Sequence, residues 1–450
     1  MVVNDLDQGD ITQFYHRASN GKPSWLDWRR SREERKLADS AVGSFHLMTK
    51  PSGPACNLDC TYCYYLEKEA LYNTRGTRRM SEAVLEAYVR EMIAATPPGR
   101  PVLFAWQGGE PTLLGIPFYE RALTLQRRYG AGRIIENSFQ TNGTLLDEDW
   151  ARFLSENDIL VGLSLDGPAE IHDHNRRHRS GAPSHHRVMA GLERLQRHGV
   201  AFNVLTCIDR NSSRHPQTIY RWLKAQGIDF IQFTPVVERR AGPEYVAAGF
   251  ALEGPSGTEG AGVAPFTVRP RNWGRFLSSV FDQWRRKDVG RVFVMNFEWT
   301  LAALVGAPGG ICVHQPECGR ALALEHDGSV YACDHFVYPE YRLGNLSHQP
   351  LAAMVESARQ REFGRYKRDS LPQQCHTCPQ LELCWGGCPK HRFLVTQDGE
   401  PGLDWLCEGH RTYLNHARPW LEVIARLLRG GRDPRAIMQA KRPTAFDGCI

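Results

Sequence analysis

The chain has no long apolar run, no strong excess of one charge and no repeat of fixed period. A membrane-spanning helix needs about 18 or more consecutive apolar residues, so no membrane partner is expected. Its 55 basic and 50 acidic residues leave a net charge of +5. That balance does not by itself imply a nucleic-acid partner. The start, Met-Val-Val-Asn-Asp-Leu-Asp-Gln-Gly-Asp, has no basic segment leading into an apolar one. No secretory signal is expected, and the location is read as cytoplasmic. The rest is ordinary for a soluble globular protein, with 42% hydrophobic and 23% charged residues. At 450 residues the chain is long enough for a large core and more than one domain.

The 13 cysteines suit a disulfide framework only in a small secreted chain. Here they fall in two zones, which favours metal ligation in a reducing compartment. Two stand apart. Cys207 reads as a small core residue in an apolar strand, and Cys449 as a free tail thiol.

The first zone is Cys56-Asn-Leu-Asp-Cys60-Thr-Tyr-Cys63-Tyr-Tyr. A CxxxCxxC run offers three thiolates, whereas a four-iron cubane normally takes four. One iron is left open for a small molecule. Structural zinc closes with four ligands, often as CxxC pairs. Three incidental loop cysteines are the plain alternative.

From residue 45 to about 237 the chain alternates strand-like and helical segments. Strands are expected at 45–49, 101–106, 133–139, 159–165, 201–207 and 228–236. Helices are expected at 80–95, 116–129, 147–156, 186–198 and 213–226. This alternation argues for βα units and a parallel sheet. Residues 238–272 are rich in Gly, Pro and Ala without periodicity and read as a surface loop or linker. A helix follows at 272–287. The implied domain plan is an N-terminal extension (1–44), a core domain (45–270), a linker helix region (271–311), a cysteine-rich domain (312–410) and a helical tail (411–450). The charged stretch at 25–36 reads as a solvated amphipathic helix.

Three strand ends carry short polar and glycine motifs. Gln107-Gly108-Gly109-Glu110-Pro111 ends the second strand; the glycines permit close backbone approach to a ligand. Gln140-Thr141-Asn142-Gly143 and Ser164-Leu165-Asp166-Gly167 end the next two. Such groups suit ribose and carboxylate contacts, or, more simply, strand-to-helix turns. The five histidines between His172 and His186 have irregular spacing and many arginine neighbours, so a solvated loop is favoured over a metal site.

The second zone runs Cys312, Cys318, Cys333, Cys375, Cys378, Cys384, Cys388, Cys407. Eight thiolates suffice for two fully ligated four-iron clusters; two structural zinc sites are the alternative. Spacing does not give the pairing. Asp334 follows Cys333 directly. If Cys333 ligates a cluster, a carboxylate beside it could take a proton while the cluster takes an electron; otherwise it is a surface Asp in a turn.

The cysteine loop, the GGEPTL, QTNGTL and SLDGP runs, Asn175-Arg176, and Cys333-Asp334 together resemble the anaerobic sulfatase-maturating enzymes. These belong to the radical S-adenosylmethionine (SAM) superfamily with a SPASM domain. The resemblance spans residues from about 45 to 410. It implies an open (β/α)6 partial TIM barrel with a C-terminal cysteine-rich SPASM-type domain, and three [4Fe–4S] clusters. Cys56, Cys60 and Cys63 would hold the cluster that chelates SAM. Cys312, Cys318, Cys333 and Cys388 would hold one auxiliary cluster, and Cys375, Cys378, Cys384 and Cys407 the other. By the same resemblance Tyr62, Gln107, Gly108, Gly109, Glu110, Asn142, Ser164 and Arg176 contact SAM. Glu110 would hold its amino group and Arg176 its carboxylate, with Arg177 a competitor for that role. Ile231 would touch adenine, and Tyr65 would line the substrate site.

The implied reaction oxidises Cys or Ser of a sulfatase polypeptide, unfolded or nascent, to Cα-formylglycine. A 5′-deoxyadenosyl radical removes a Cβ hydrogen, Asp334 takes the proton, and an auxiliary cluster takes the second electron. A thioaldehyde, where formed, then hydrolyses. An electron donor such as flavodoxin or ferredoxin is implied. The N-terminal extension and the histidine-rich loop depart from the family pattern. Two further readings stand beside this one. A maturase of a ribosomally made peptide would use the same SPASM equipment to form thioether or carbon–carbon crosslinks. A non-enzymatic iron–sulfur redox protein would not need Gly108, Gly109, Glu110, Ser164 and Arg176 together.

Overall fold

The computed structural model describes residues 44–71, 79–255, 262–307 and 311–446. The 25–36 stretch and Cys449 therefore lie outside the described residues. Six strands form where the apolar runs predict them. They are β1 (His46–Lys50), β2 (Val102–Trp106), β3 (Ile135–Thr141), β4 (Leu160–Ser164), β5 (Phe202–Ile208) and β6 (Phe230–Pro235). They lie side by side in chain order, all parallel. Between them run α1 (Glu82–Ala95), α2 (Ile116–Tyr129), α3 (Glu148–Glu156), α4 (Ala169–Asn175), α5 (His185–Arg197) and α6 (Pro216–Ala225).

Local chemistry sets these boundaries. The Ser81 hydroxyl accepts from the Val84 N–H at 3.3 Å and starts α1. Leu85, Tyr88, Val89 and Met92 then recur at helical spacing and are all buried. Asp147 caps α3 through the Trp150 N–H at 2.9 Å. The strands alternate. On β3, Asn137 and Phe139 are buried towards the helices, while Ser138 and Gln140 are half-buried on the other, inner face.

The sheet does not close. β7 (Phe293–Val294) extends it beyond β6, after α7 (Pro270–Lys287) and before α8 (Met295–Leu304). On the opposite side β1 pairs parallel with β8 (Ala321–Glu325) over five residue pairs, His46↔Ala321 to Lys50↔Glu325. β9 (Ser329–Tyr331) and β10 (Arg342–Asn345) follow antiparallel. The second cysteine zone therefore continues the first sheet, giving a ten-stranded open sheet. After α9 (Ala358–Asp369), the long α10 (Cys407–Arg429) returns onto α7. The helices approach closely at Gly274 and Gly409. A Cβ on Gly409 would lie 2.3 Å from the Pro270 carbonyl oxygen, so Gly there lets α10 bring Cys407 against the core.

Residues 238–272 are not the bare loop that their composition suggests. A short helix (Pro243–Ala247) and bridges Arg239↔Val263 and Arg240↔Leu252 fold the segment back. Phe250 is buried beside Tyr338, with ring centroids 6.0 Å apart. The Glu67 carboxylate accepts the N–H groups of Ala251 (2.9 Å) and Leu252 (2.8 Å). One side chain thus holds a stretch that has no periodicity to reveal it.

Candidate active site

The motif residues converge at the C-terminal ends of the parallel strands, where α/β enzymes build their sites. The cysteine loop follows β1 and is stitched to the end of β2 and to the chain at the end of α4. Gly109 N–H donates to the Gly53 carbonyl and Glu110 N–H to that of Ala55, each at 2.8 Å. A Cβ on Gly109 would sit 2.0 Å from the Ala55 carbonyl oxygen, so no larger residue fits beside the loop. On the other side Asp59 and Thr61 donate to the carbonyls of Arg177 (2.8 Å) and Asn175 (3.1 Å).

The start of the histidine-rich stretch therefore backs the cysteine loop, while His174, His186 and residues 179–183 are exposed, as expected of a solvated loop. His172 is fully buried, with Nδ1 accepting the Asp166 N–H at 3.3 Å and Nε2 3.1 Å from the Ser184 hydroxyl. Burial holds this imidazole down at about 3, so it stays neutral.

The three loop thiols act on one another electrostatically. Burial first, then negative neighbours, pushes Cys56 up to about 12 and raises Cys60 as well. Arg176 acts against burial at Cys60 and Cys63 without offsetting it, so thiolates here need further positive charge, which iron supplies. Leu58 N–H points at the Cys56 sulfur at 3.4 Å, and Asn142 Nδ2 at 3.7 Å. Such donors stabilise sulfur carrying negative charge.

Glu110 is fully buried and takes four hydrogen bonds: Thr112 N–H (3.0 Å), Thr112 hydroxyl (2.6 Å), Thr141 hydroxyl (2.7 Å) and Asn142 N–H (2.8 Å). Ser164 lies on the inner face, its hydroxyl accepting from Gln140 Nε2 at 3.2 Å. Gln107 and Gly108 follow β2 at the same strand ends; Gln107 N–H donates to the Thr49 carbonyl at 2.8 Å. Of the two arginines, Arg176 points inward and Arg177 is exposed. Arg176 pairs with Asp166 at 2.9 Å, and the Tyr62 hydroxyl donates to that same carboxylate. Asp166, a member of the Ser164–Gly167 motif with no role of its own assigned from sequence, also accepts the Cys207 N–H at 2.9 Å.

Two side chains do not join these residues. Ile231 faces the helices, fully buried in the main core with Val204 and Ile219. The period of two along β6 puts Gln232 and Thr234 on the inner face instead. Tyr65 is buried, with its hydroxyl committed to both Glu325 oxygens at 2.7 Å and the Lys50 ammonium 3.5 Å from its ring centre. Its neighbour Tyr64 reaches the site instead, donating its hydroxyl to Asp334.

Asp334 is brought to the cysteine loop by the pairing of β1 with β8, which carries β9 and the turn after it over the strand ends. Lys50, at the end of β1, forms an ion pair with it. Burial alone would raise the Asp334 carboxyl. The Lys50 ammonium, together with hydrogen bonds from Lys50 and Tyr64, outweighs burial and holds it at about 2. It is ionised at neutral pH. A position at a strand's C-terminal end was the only sequence signal for Lys50, and Glu325 gave none.

The eight thiols of the second zone separate by mutual influence. Cys318 and Cys333 each lie within electrostatic reach of Cys312 and Cys388. Cys407 faces Cys375 and Cys378, and Cys384 faces Cys407. The second group lines a cavity of about 210 Å³ containing Cys375, Cys378, Cys384 and Cys407. Against the first group lies Lys367, a fully buried ammonium facing Cys312 and Cys318. Among the described residues no three or more His, Cys, Asp or Glu side chains are drawn together as the cage of one metal ion. All-thiol sets of four suit a cubane, which takes one thiolate at each of four separate irons.

Comparison with known proteins agrees with this geometry. Residues 51–223 match the model of the radical SAM superfamily, and residues 316–379 that of an iron–sulfur cluster-binding domain, SPASM. The chain is thus a radical SAM enzyme with a SPASM domain, a class that implies iron–sulfur clusters and SAM. It is 43% identical over 396 residues to a serine-type anaerobic sulfatase-maturating enzyme of Bacteroides thetaiotaomicron, covering 88% of this chain and 94% of that one. A serine-type enzyme of Klebsiella pneumoniae is 38% identical (89% and 94% covered). A cysteine-type enzyme of Clostridium perfringens is 33% identical (84% and 98% covered). The solved structure of native anSMEcpe with bound AdoMet and Kp18Cys peptide superposes with a TM-score of 0.74 at 32% identity, covering 85% of this chain and 99% of that one. The chain belongs to the anaerobic sulfatase-maturating enzyme family. Among the described residues no helix is long and apolar enough to cross a membrane.

Proposed function

We propose that this enzyme oxidises a Cys or Ser side chain of a sulfatase polypeptide to Cα-formylglycine, with Asp334 as the proton acceptor. The observation that carries the reading is the meeting of Asp334 with Tyr64 of the cysteine loop and Lys50 of β1. It sets an ionised carboxylate between the SAM-side loop and Cys333. Relatives named for serine-type and cysteine-type targets support this substrate class.

In the proposed roles, Cys56, Cys60 and Cys63 hold one cluster and leave one iron for SAM. Glu110 and Arg176 take its amino and carboxylate groups, with Asp166 holding Arg176 in place. The two second-zone groups hold auxiliary clusters, giving three cubanes, or about twelve irons per chain. When bound, these groups supply the radical that removes a Cβ hydrogen and the acceptor for the remaining electron. Asp334 Oδ takes the target's hydroxyl or thiol proton as the C=O or C=S bond forms. Lys50 and Tyr64 orient that carboxylate. The polypeptide substrate enters unfolded or nascent, and a small carrier such as flavodoxin or ferredoxin supplies the initiating electron, in the cytoplasm.

The test is anaerobic incubation with SAM, a reductant and a peptide from a sulfatase active-site segment, read by mass spectrometry. Loss of two hydrogens from Ser, or exchange of sulfur and two hydrogens for oxygen at Cys, is expected. SAM cleavage with an unchanged peptide mass, for a Ser-containing and a Cys-containing peptide alike, would reject the reading.

A further inference from the structure

Asp334 is held by Lys50 and Tyr64, and both of these rest on Tyr65. The Lys50 ammonium lies 3.5 Å from the centre of the Tyr65 ring. The Tyr64 ring meets Tyr65 edge-on, with centroids 6.4 Å apart. Tyr65 is buried and is held in turn by its hydroxyl, 2.7 Å from each oxygen of Glu325. The reaction above gives neither Tyr65 nor Glu325 a task.

Glu325 ends β8, is fully buried and is the register partner of Lys50 on β1. Neighbouring strands lie about 4.8 Å apart, so the two side chains stand side by side on one face of the sheet. One ammonium therefore has two carboxylates to choose from, yet it pairs with Asp334. The hydroxyls decide which. Tyr64 takes only Oδ2 of Asp334 and leaves Oδ1 to Lys50. Tyr65 stands astride both oxygens of Glu325. The other cations nearby are engaged elsewhere. His326 Nδ1 is 3.9 Å from Glu325, beyond hydrogen-bond distance, and lodges against Gly53, where a Cβ would lie 2.8 Å from it. Lys390, 4.5 Å from the centre of the Tyr64 ring, is paired with Glu238. Lys68 lies over Tyr338, 3.3 Å from its ring centre. Of these cations Lys50 alone is paired in register with Glu325.

We propose that Tyr65 is a positioning residue whose hydroxyl occupies Glu325 and so keeps that carboxylate from drawing Lys50 away from Asp334. A buried carboxylate stripped of its donor must take up a proton or a cation. Without the hydroxyl, Lys50 turns to Glu325, and Asp334 loses the cation that orients it. The inference rests on the proposed function, because it takes Asp334 to be the base.

The experiment compares the full-length, iron-loaded chain with Tyr65→Phe, Glu325→Gln and the double variant. Formylglycine formed per SAM cleaved is read by mass spectrometry, and the place of the Lys50 side chain by crystallography. Misplacing a reacting group by about 1 Å can cost about 10²-fold, so Tyr65→Phe should lose about 10–10²-fold in that ratio. Its crystals should show Lys50 on Glu325. Glu325→Gln alone should keep the ratio, since its amide oxygen still accepts from Tyr65. Added to Tyr65→Phe it should restore most of the loss, because no rival carboxylate remains. Independent structural damage would instead add up. A double variant no better than Tyr65→Phe overturns the proposal, as does Lys50 staying on Asp334 in the Tyr65→Phe crystals, or a ratio that falls as far in Glu325→Gln. Should Tyr65→Phe fail to fold, the double variant decides: it must fold with Lys50 on Asp334, and its failure too overturns the proposal. Lys50 moved onto Glu325 with an unchanged ratio upholds the control of Lys50 by Tyr65 and rejects Asp334 as the base, which separates the two readings.

Discussion

At the scale of single residues, the site depends on a few side chains whose partners lie far away in sequence. Asp334 meets Tyr64 across 270 residues. Asp334→Asn should keep SAM cleavage, because no cysteine and no residue assigned to SAM is changed and the amide oxygen can still accept from Tyr64, and lose peptide oxidation by about 10²–10⁴-fold, the usual cost of removing a general base. Separate assays of 5′-deoxyadenosine and peptide mass check this. Near-normal peptide oxidation with full iron would place the base elsewhere. Gly109→Ala acts differently. Its Cβ would strike the backbone oxygen of Ala55 at 2.0 Å, and backbone cannot swing aside as a side chain can. The variant should lose iron from the first site while keeping second-zone iron, read by metal analysis. The cysteines were legible because their type and spacing carry chemistry, whereas Glu110 and Asp334 were singled out by the family resemblance of the runs that hold them. Lys50, Asp166 and Glu325 were not, because a lone charged residue in an apolar strand or turn gains its meaning only from what folds against it. Ile231 shows the converse: an apolar residue in a strand says nothing of which face it takes until the register is known.

At the scale of elements, periodicity was a good guide wherever an element packs one face on the core. β1 to β6 and α1 to α3 lie within about two residues of their expected bounds, the usual uncertainty at element ends. The segment 239–253 failed that test because it packs through isolated contacts instead of a repeating face. Glu67 alone accepts two of its N–H groups, and hydrogen bonds to charged acceptors contribute roughly 1.5–3 kcal/mol each. Half-buried as Glu67 is, the lower end applies. Glu67→Ala should therefore speed amide exchange at Ala251 and Leu252 and open residues 239–255 to protease. The main thermal transition should stay almost unchanged, because the sheet is not involved. Hydrogen exchange at those two amides is the readout, and unaltered protection would show that Phe250 packing suffices to hold the segment.

At the scale of the whole molecule, the two cysteine zones share one sheet and one helical layer. β1, the strand that leads into the first cysteine loop, is flanked by β2 and by β8 from the second zone. α10, which begins at Cys407, covers α7. Tyr413 stacks on Phe297, with ring centroids 5.9 Å apart. A fragment ending at residue 311 would turn β1 into an unpaired edge, a template for aggregation. It would also uncover the part of α7 that α10 now covers, where Gly274 meets Gly409, Phe281 lies 6.2 Å from the His416 ring and Arg285 lies over Trp420. Exposed apolar area on that scale drives association. The fragment should be insoluble or oligomeric and should lack a cooperative melt, although it retains every SAM-side motif. Size-exclusion chromatography and calorimetry provide the check. A monomeric fragment with a sharp transition would mean that the SAM-side half folds alone. The expected result has a chemical corollary. If the halves cannot fold apart, the separation between the cysteine loop, Asp334 and the second-zone thiols is fixed by the strand pairing itself. Proton and electron acceptors are then held in place by the same hydrogen bonds that make the sheet.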